Sequence, residues 1–264
     1  ILAAIFFVNP AFAVVNMSWT STGCASNATD TTSYASANYA YNIGTYKVSN
    51  APYNDSHNAK DTANDADIYH ATMGKHSNIT QSLSNCGKYN YCVGSTFANM
   101  PAVGVTWFSA ASFHNWLGND PGNISTETEA YTLTGAMSSI ASANVYIPSD
   151  NEWYKALYSY GTNSANSLYP NEQDTITAAD ANHNGIEVVD VVFGKAGSSA
   201  TLGLSGNVWE RNNTAPINWS RWMRRGGWLN IVLGSILLTG LLCSLLARPS
   251  RPSQRRDFPR SQRH

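Results

Sequence analysis

The chain has 264 residues, of which 12% are charged and 11% aromatic, and its formal net charge is −1. That length gives room for one large domain or two small ones, and scarce charge beside abundant Asn, Ser, Thr, Ala and Gly favours a loop-rich exported domain over a cytoplasmic helical one. Up to Trp228 there are 10 Lys+Arg against 16 Asp+Glu, a balance of −6, and no Arg precedes Arg211, so this body has no basic face for nucleic acid.

Residues 1–13 begin with the apolar run Ile1 to Val8 and close on Ala11-Phe12-Ala13. An h-region before a small-x-small site predicts a signal peptide, here clipped at its start, and a mature chain from about Val14 that is periplasmic, surface-bound or secreted. A buried first strand is the competing reading of the same run. Export permits disulfides. Cys86 and Cys92 flank Gly87-Lys88-Tyr89-Asn90-Tyr91, where a turn and a strand would bring them together, and a structural bridge is expected. Cys24 and Cys243 have no evident partner, and no Cys-x-x-Cys spacing occurs. The Asn-x-Ser/Thr triplets at Asn27, Asn78 and Asn123 are what chance gives in a chain this rich in those residues.

Tyr39 to Val48 alternates apolar and polar residues and reads as a strand pair. Ser49 is placed to cap a helix to about Lys60, with Pro52 tolerated in its first turn. Residues 54–80 read as polar and irregular, and Ala102 to Val105 as a strand. Trp107, Ala110, Ala111, His114 and Leu117 then share one helical face, with Phe113 and Trp116 beside it, which makes His114 a packed, hydrogen-bonded histidine before it is a ligand. Val145 to Pro148 reads as a strand end. Ser149 stands three before Glu152 as a capping box, and Trp153, Ala156, Leu157 and Tyr160 follow at helical spacing. The Asn/Ser/Gly/Ala stretch beyond Tyr160 is too long for a simple connection, and bound cations are one way to order it. Gly206-Asn207-Val208-Trp209-Glu210 and Arg224-Arg225-Gly226-Gly227-Trp228 each set a glycine's backbone freedom beside a large aromatic. Last, the uncharged run from Ile231 to Ala247 precedes Arg248, Arg251, Arg255 and Arg256 and reads as a marginally short membrane span with a basic flank.

Four of these blocks, in order, resemble one family. Ile43-Gly44-Thr45-Tyr46-Lys47-Val48-Ser49-Asn50 is similar to its "I-G-x-Y-E-V-T-N". Met100 to Ala111 is similar to "P-V-x-x-V-S-W-x-D-A", and Tyr146 to Ala156 to "R-L-P-T-E-A-E-W-E-K-A". Gly206 to Glu210, then Arg225 to Trp228, resembles "G-N-V-W-E-W … R-G-G-S-W". The family is that of the formylglycine-generating enzyme, or sulfatase-modifying factor, in its exported bacterial branch, and the resemblance covers residues 38–228. It implies an α+β, irregular C-type-lectin-like fold, loop-rich with short helices and small sheets. It gives three segments: a signal peptide over 1–13, the sulfatase-modifying-factor-like domain over 14–228, and an apolar then Arg-rich tail over 229–264.

Function lives in the site and not in the fold. The family's oxidising members convert a sulfatase cysteine to formylglycine with copper held by two cysteines just after R-G-G-S-W. Here that stretch holds Cys243 alone, so copper is not expected and no catalytic residue is assigned. The ergothioneine-type iron members need a His-rich helical domain, which is missing from this sequence, and no other enzyme class has a recognisable constellation. The resemblance does imply structural Ca²⁺, a hard cation suited to carboxylate, amide and carbonyl oxygens. By position, Asn182 and Asp190 with the carbonyls of His183 and Val192 match one site. Glu210 with the carbonyls of Gly206 and Val208 matches a second, which departs from the family because the Asp or Asn expected three before Gly206 is Gly203. Ordinary Asn/Asp turn chemistry is the alternative for all of them. Trp209, Trp153 and Trp107 are expected in the core.

The family ends on a strand, "G-F-R-V-A-S", where this chain reads Asp257 to His264, and suitable codons for those residues give Thr-Phe-Arg-Val-Ala-Ser-Val one base later. With the change of composition at Trp228 and the Ser missing before it, the tail is expected to be a frameshift product whose domain lacks its closing strand. A true membrane anchor is the alternative. Exported bacterial members often end in Pro-Glu-Pro, an apolar helix and arginines, but the Pro-Glu-Pro is missing here. The leading functional expectation is an exported, non-catalytic, calcium-stabilised binding or surface scaffold for a protein or carbohydrate ligand. The others are a formylglycine-generating-type oxidase whose cysteines are missing from this sequence, and a membrane-tethered envelope protein.

Overall fold

A computed structural model describes residues 15, 17–23, 37–61, 68–83, 86–119, 126–127, 129–133, 138–139, 143–158, 169–183, 185, 187–214 and 223–224. The elements are β1 (Trp19–Thr22), β2 (Tyr41–Gly44), α1 (Asn50–Lys60), α2 (Ala71–His76), β3 (Ile79–Leu83), β4 (Tyr89–Val93), a 3₁₀ turn (Ser95–Phe97), α3 (Trp107–Gly118), β5 (Tyr131–Thr132), β6 (Ser138–Ser139), α4 (Asp150–Tyr158), β7 (Glu210–Arg211) and β8 (Met223–Arg224). The strands pair antiparallel as β1–β2, β3–β4, β5–β6 and β7–β8. This is the loop-rich α+β architecture of short helices and small sheets that the sequence predicts.

Sheets this small leave many backbone groups without ladder partners, and buried ones must find others. Asparagine side chains supply them, because one amide offers a donor and an acceptor in the pattern of a peptide unit. Asn58 of α1 accepts from the Tyr91 N–H at 2.9 Å and donates to its carbonyl at 2.8 Å. Asn115 of α3 does the same to Tyr131, at 2.9 and 2.8 Å. Asn207 does it to Val189, at 3.0 and 2.8 Å. The Asn-rich composition is thus built into the fold as substitute strands.

Three apolar clusters form the core. Tyr53, Met73, Ile79, Tyr91, Phe113 and Trp116 join α1, α2, β3, β4 and α3. Trp107, Ala111, Ala130, Tyr131 and Ile147 lie under the other side of α3. Ile43, Trp153, Tyr154, Ala156, Leu157 and Leu204 pack α4 against β2. The α4 capping box forms as predicted, the Ser149 N–H donating to Glu152 Oε2 at 2.6 Å and the Glu152 N–H to Ser149 Oγ at 3.3 Å.

Several expectations are corrected. The Tyr39–Val48 segment does not fold on itself: β2 pairs with β1, Trp19 opposite Gly44 and Thr22 opposite Tyr41. Residues 102–105 and 145–148 belong to no strand. The first is held by the Ala102 N–H on the Val48 carbonyl at 3.0 Å and turns at Gly104, whose φ is +78°. Within 54–80, expected irregular, lie all of α2 and the start of β3, while α1 runs to Lys60 as expected. Ser49 stands at the α1 N-cap without making a side-chain cap bond. No disulfide joins Cys86 to Cys92, and both are exposed. Cys92 faces Thr80, three positions past the Leu83–Tyr89 pair that ends the ladder. At roughly 3.3 Å per residue that carries it roughly 10 Å from the hairpin connection where Cys86 sits, beyond disulfide reach.

Among the described residues no helix is long and apolar enough to cross a membrane. The expected signal peptide over 1–13, Cys24, Asn27, Asn123, Tyr160, the 225–228 block, Cys243 and residues 229–264 lie outside the described residues.

Candidate functional site

Where β1, β2, the approach to α4 and the turn before β7 converge there is a cleft of about 710 Å³. Its rim is aromatic: Trp19, Tyr46, Tyr146 and Trp209 line it. Trp19 is 47%, Tyr146 39% and Trp209 36% exposed, while Trp107 and Trp153 are core residues. Trp209, expected in the core with those two, is therefore a cleft residue. The turn that carries it explains why. Gly206 and Asn207 both have positive φ, +77° and +64°, so the chain reverses and sends the next tryptophan outward.

The polar floor is made of groups already committed to one another. Glu152 Oε1 accepts from the Tyr146 hydroxyl at 2.7 Å and from the Tyr39 hydroxyl at 2.8 Å. Burial, then the hydrogen bond to Glu152 and its charge, pushes Tyr39 up to about 12, and the same causes push Tyr146 up, so both phenols stay protonated donors. Glu210 accepts from the Trp153 indole N–H at 2.9 Å on Oε2, and its Oε1 lies 3.7 Å from Lys47 Nζ. Burial raises the Glu210 carboxyl against the opposing pull of Lys47 and Trp153, and lowers Lys47 against the opposing pull of Glu210. His114 also lines the cleft. Its Nδ1–H donates to the Ala110 carbonyl at 2.7 Å, and burial lowers its affinity for a proton, so it is the packed histidine the helical face predicts.

The residues matched to calcium lie in two linked loops. Asn182 pairs with Gly206 as an isolated parallel bridge, and the Asn207 N–H donates to the Asn182 carbonyl at 2.7 Å. The Asn182 amide nitrogen donates to the Glu187 carbonyl at 2.9 Å and to Asn207 Oδ1 at 3.2 Å. Its oxygen lies against Gly185, where a Cβ would stand only 2.1 Å away, so residue 185 has no room for a side chain while that oxygen stays in place. Asp190 Oδ1 accepts from the Val192 N–H at 3.0 Å. His183 is buried with neither ring nitrogen hydrogen-bonded, and Val192 is exposed. An amide oxygen, a carboxylate and turn carbonyls are a donor set that suits Ca²⁺.

The second set suits it poorly. Val208 is buried beside Gly206, but the Glu210 carboxylate faces Lys47 and Trp153 inside the cleft. A divalent cation on that carboxylate would sit against an ammonium. Among the described residues no three His, Cys, Asp or Glu side chains gather as a metal cluster. Neighbouring parts of the loops are ordered by their own contacts: Asp180 accepts from Lys195 at 2.9 Å and from Thr177, which hold it at about 2.

The rim Trp19, Tyr46 and Tyr146 and the floor Lys47 and Glu152 were not singled out as site residues by sequence. Glu152 was visible as a cap only, and the alternation around Tyr46-Lys47 was the one available signal.

Against known proteins, a family model for the sulfatase-modifying factor enzyme 1-like domain matches residues 16–215. No curated protein matches the chain. Among solved structures, the crystal structure of CarF is similar with a TM-score of 0.55 and 17% identity, over 88% of this chain and 94% of that one. Treponema denticola variable protein 1 is similar with a TM-score of 0.55 and 16% identity, over 85% and 88%. At such identities the likeness is one of fold.

Proposed function

The chain belongs to the sulfatase-modifying factor enzyme 1-like family, and within it we propose an exported, non-catalytic binding or surface-scaffold protein, stabilised by calcium, that takes a protein or carbohydrate ligand in the aromatic cleft. The observation that carries this reading is the cleft itself. Exposed tryptophans and tyrosines frame it, and its carboxylates are already tied to Tyr39, Tyr146, Trp153 and Lys47. Aromatic faces give a large contact area at little entropic cost, and fixed polar groups orient a ligand without reacting with it. A sugar ring or an aromatic peptide side chain, each with a flat apolar face and a polar edge, meets that description.

The sequence supports the non-catalytic part, since no second cysteine accompanies Cys243 after Trp228. Export rests on the Ala11-Phe12-Ala13 ending. Calcium rests on the Asn182 and Asp190 oxygens, with the carbonyls of His183 and Val192; Ca²⁺ there would tie the 182–192 loop together. Glycan and peptide arrays probed with the folded domain test the binding role, and oxygen consumption with copper and a Cys-containing peptide tests the oxidase alternative. Ligands retained in the first assay with no turnover in the second are the expected pair of results.

A further inference from the structure

We infer that Lys47 is a built-in cation: its ammonium sits between the Gly203 carbonyl and the Glu210 carboxylate and holds the turn from 203 to 210 without a metal ion.

The geometry comes first. The Leu202 N–H donates to the Thr45 carbonyl at 2.7 Å, which brings the turn alongside the segment after β2. Two residues on, Lys47 Nζ donates to the Gly203 carbonyl and lies 3.7 Å from Glu210 Oε1. The lysine side chain is 4% exposed and that of Glu210 16%. A carbonyl and a carboxylate converging on one buried positive charge is the arrangement a hard cation takes from protein oxygens. Here the charge arrives covalently attached. The other Glu210 oxygen is held by Trp153 at 2.9 Å. A Ca²⁺ bound to Glu210 would have to displace the ammonium or share a dry site with it, and like charges at that range repel strongly.

The sequence makes the same exchange at two places. Where the family reads Y-E-V this chain reads Tyr46-Lys47-Val48, and where an Asp or Asn is expected three before Gly206 it has Gly203. One side-chain oxygen ligand is lost, a carboxylate position becomes positive, and these two residues are the ones that touch through Nζ and the carbonyl. Gly203 is also fixed by its backbone: φ is +65°, and a Cβ would stand 2.1 Å from the Val191 carbonyl oxygen. No side-chain ligand can be restored there without moving the chain.

The inference is independent of the proposed calcium site at Asn182 and Asp190, and Ca²⁺ titration of the full chain by calorimetry separates the two. Glu210→Gln is expected to bind the same number of Ca²⁺ as the wild type with unchanged affinity. Lys47→Glu is expected to bind one more and to regain in Ca²⁺ the melting temperature it loses in chelator. Should either single variant not fold, Lys47→Met with Glu210→Gln removes both charges and keeps the acceptor for Trp153; its Ca²⁺ count should equal the wild type's. A loss of one Ca²⁺ in Glu210→Gln or in the double variant would overturn the assignment, as would a folded Lys47→Glu protein that gains no Ca²⁺. A wild type that binds no Ca²⁺, matched by Glu210→Gln, overturns the Asn182–Asp190 reading and supports this one.

Discussion

The indole N–H of Trp153 donates to Oε2 of Glu210 at 2.9 Å, and that bond ties α4 to the turn bearing the Gly206–Glu210 motif. Two blocks that are 57 residues apart in sequence thus meet at one carboxylate, whose other oxygen faces Lys47.

Removing one member of that group should be costly. A buried ion pair that loses one partner leaves an uncompensated charge, worth about 3–5 kcal/mol. Lys47→Ala and Glu210→Ala are each expected to lose stability in that range by urea denaturation. Lys47→Met with Glu210→Gln should recover most of it, and equal losses in single and double variants would contradict the pairing.

Asn207→Ala is expected to cost about 2–3 kcal/mol, since it takes the hydrogen-bond partner from both half-buried backbone groups of Val189 and puts alanine at a positive φ. Asn207→Gly, which keeps the backbone freedom and loses only the amide, should cost measurably less. Thermal melts of the two separate conformation from hydrogen bonding.

Acid should weaken the fold through His57. It is fully buried, its Nδ1–H donates to the Tyr53 carbonyl at 2.8 Å, and Tyr69 and Tyr91 pack on its ring. Burial holds its pKa below the ordinary histidine value, against the partial counter-pull of Asp61. The unfolded chain therefore binds the proton more readily, and stability is full above about pH 6.5 and falls as pH drops below it toward the folded value. His114 acts in the same direction. Urea midpoints between pH 8 and 5 should fall more steeply for the wild type than for His57→Gln, and parallel curves would contradict this.

Calcium should act through Asp190. Chelator is expected to lower the wild-type melting temperature and to leave Asp190→Ala unchanged, because only the wild type has the carboxylate to lose a ligand from. An equal chelator response in both proteins would remove Asp190 from the site.

The helices were legible where a short-range signal existed. The α3 stripe has helical period, and the Ser149–Glu152 pair, three residues apart, marks the start of α4 at Asp150. The β3–β4 hairpin was not, because Thr80, Ser82 and Asn90 make one face polar, while on the other Gln81 faces Tyr91 and only Ile79 and Tyr91 are buried. Residues 102–105 read as a strand because an apolar segment looks the same in sequence whether it pairs or merely packs. The family and fold class followed from four motif blocks, but the cleft did not. Its polar floor joins Lys47 to Glu210 and Tyr39 to Glu152 across more than a hundred residues, and no local pattern encodes such a meeting.

The most direct measurement is a glycan and peptide array probed in parallel with the wild-type domain and with Trp19→Ala/Trp209→Ala, after melts show that the variant is folded. Both side chains sit on the rim, so stability should be nearly preserved while binding to the wild type's ligands is lost. A folded variant that keeps the same ligands, or a wild type that oxidises a Cys-containing peptide with copper and oxygen, would contradict a binding role for this cleft.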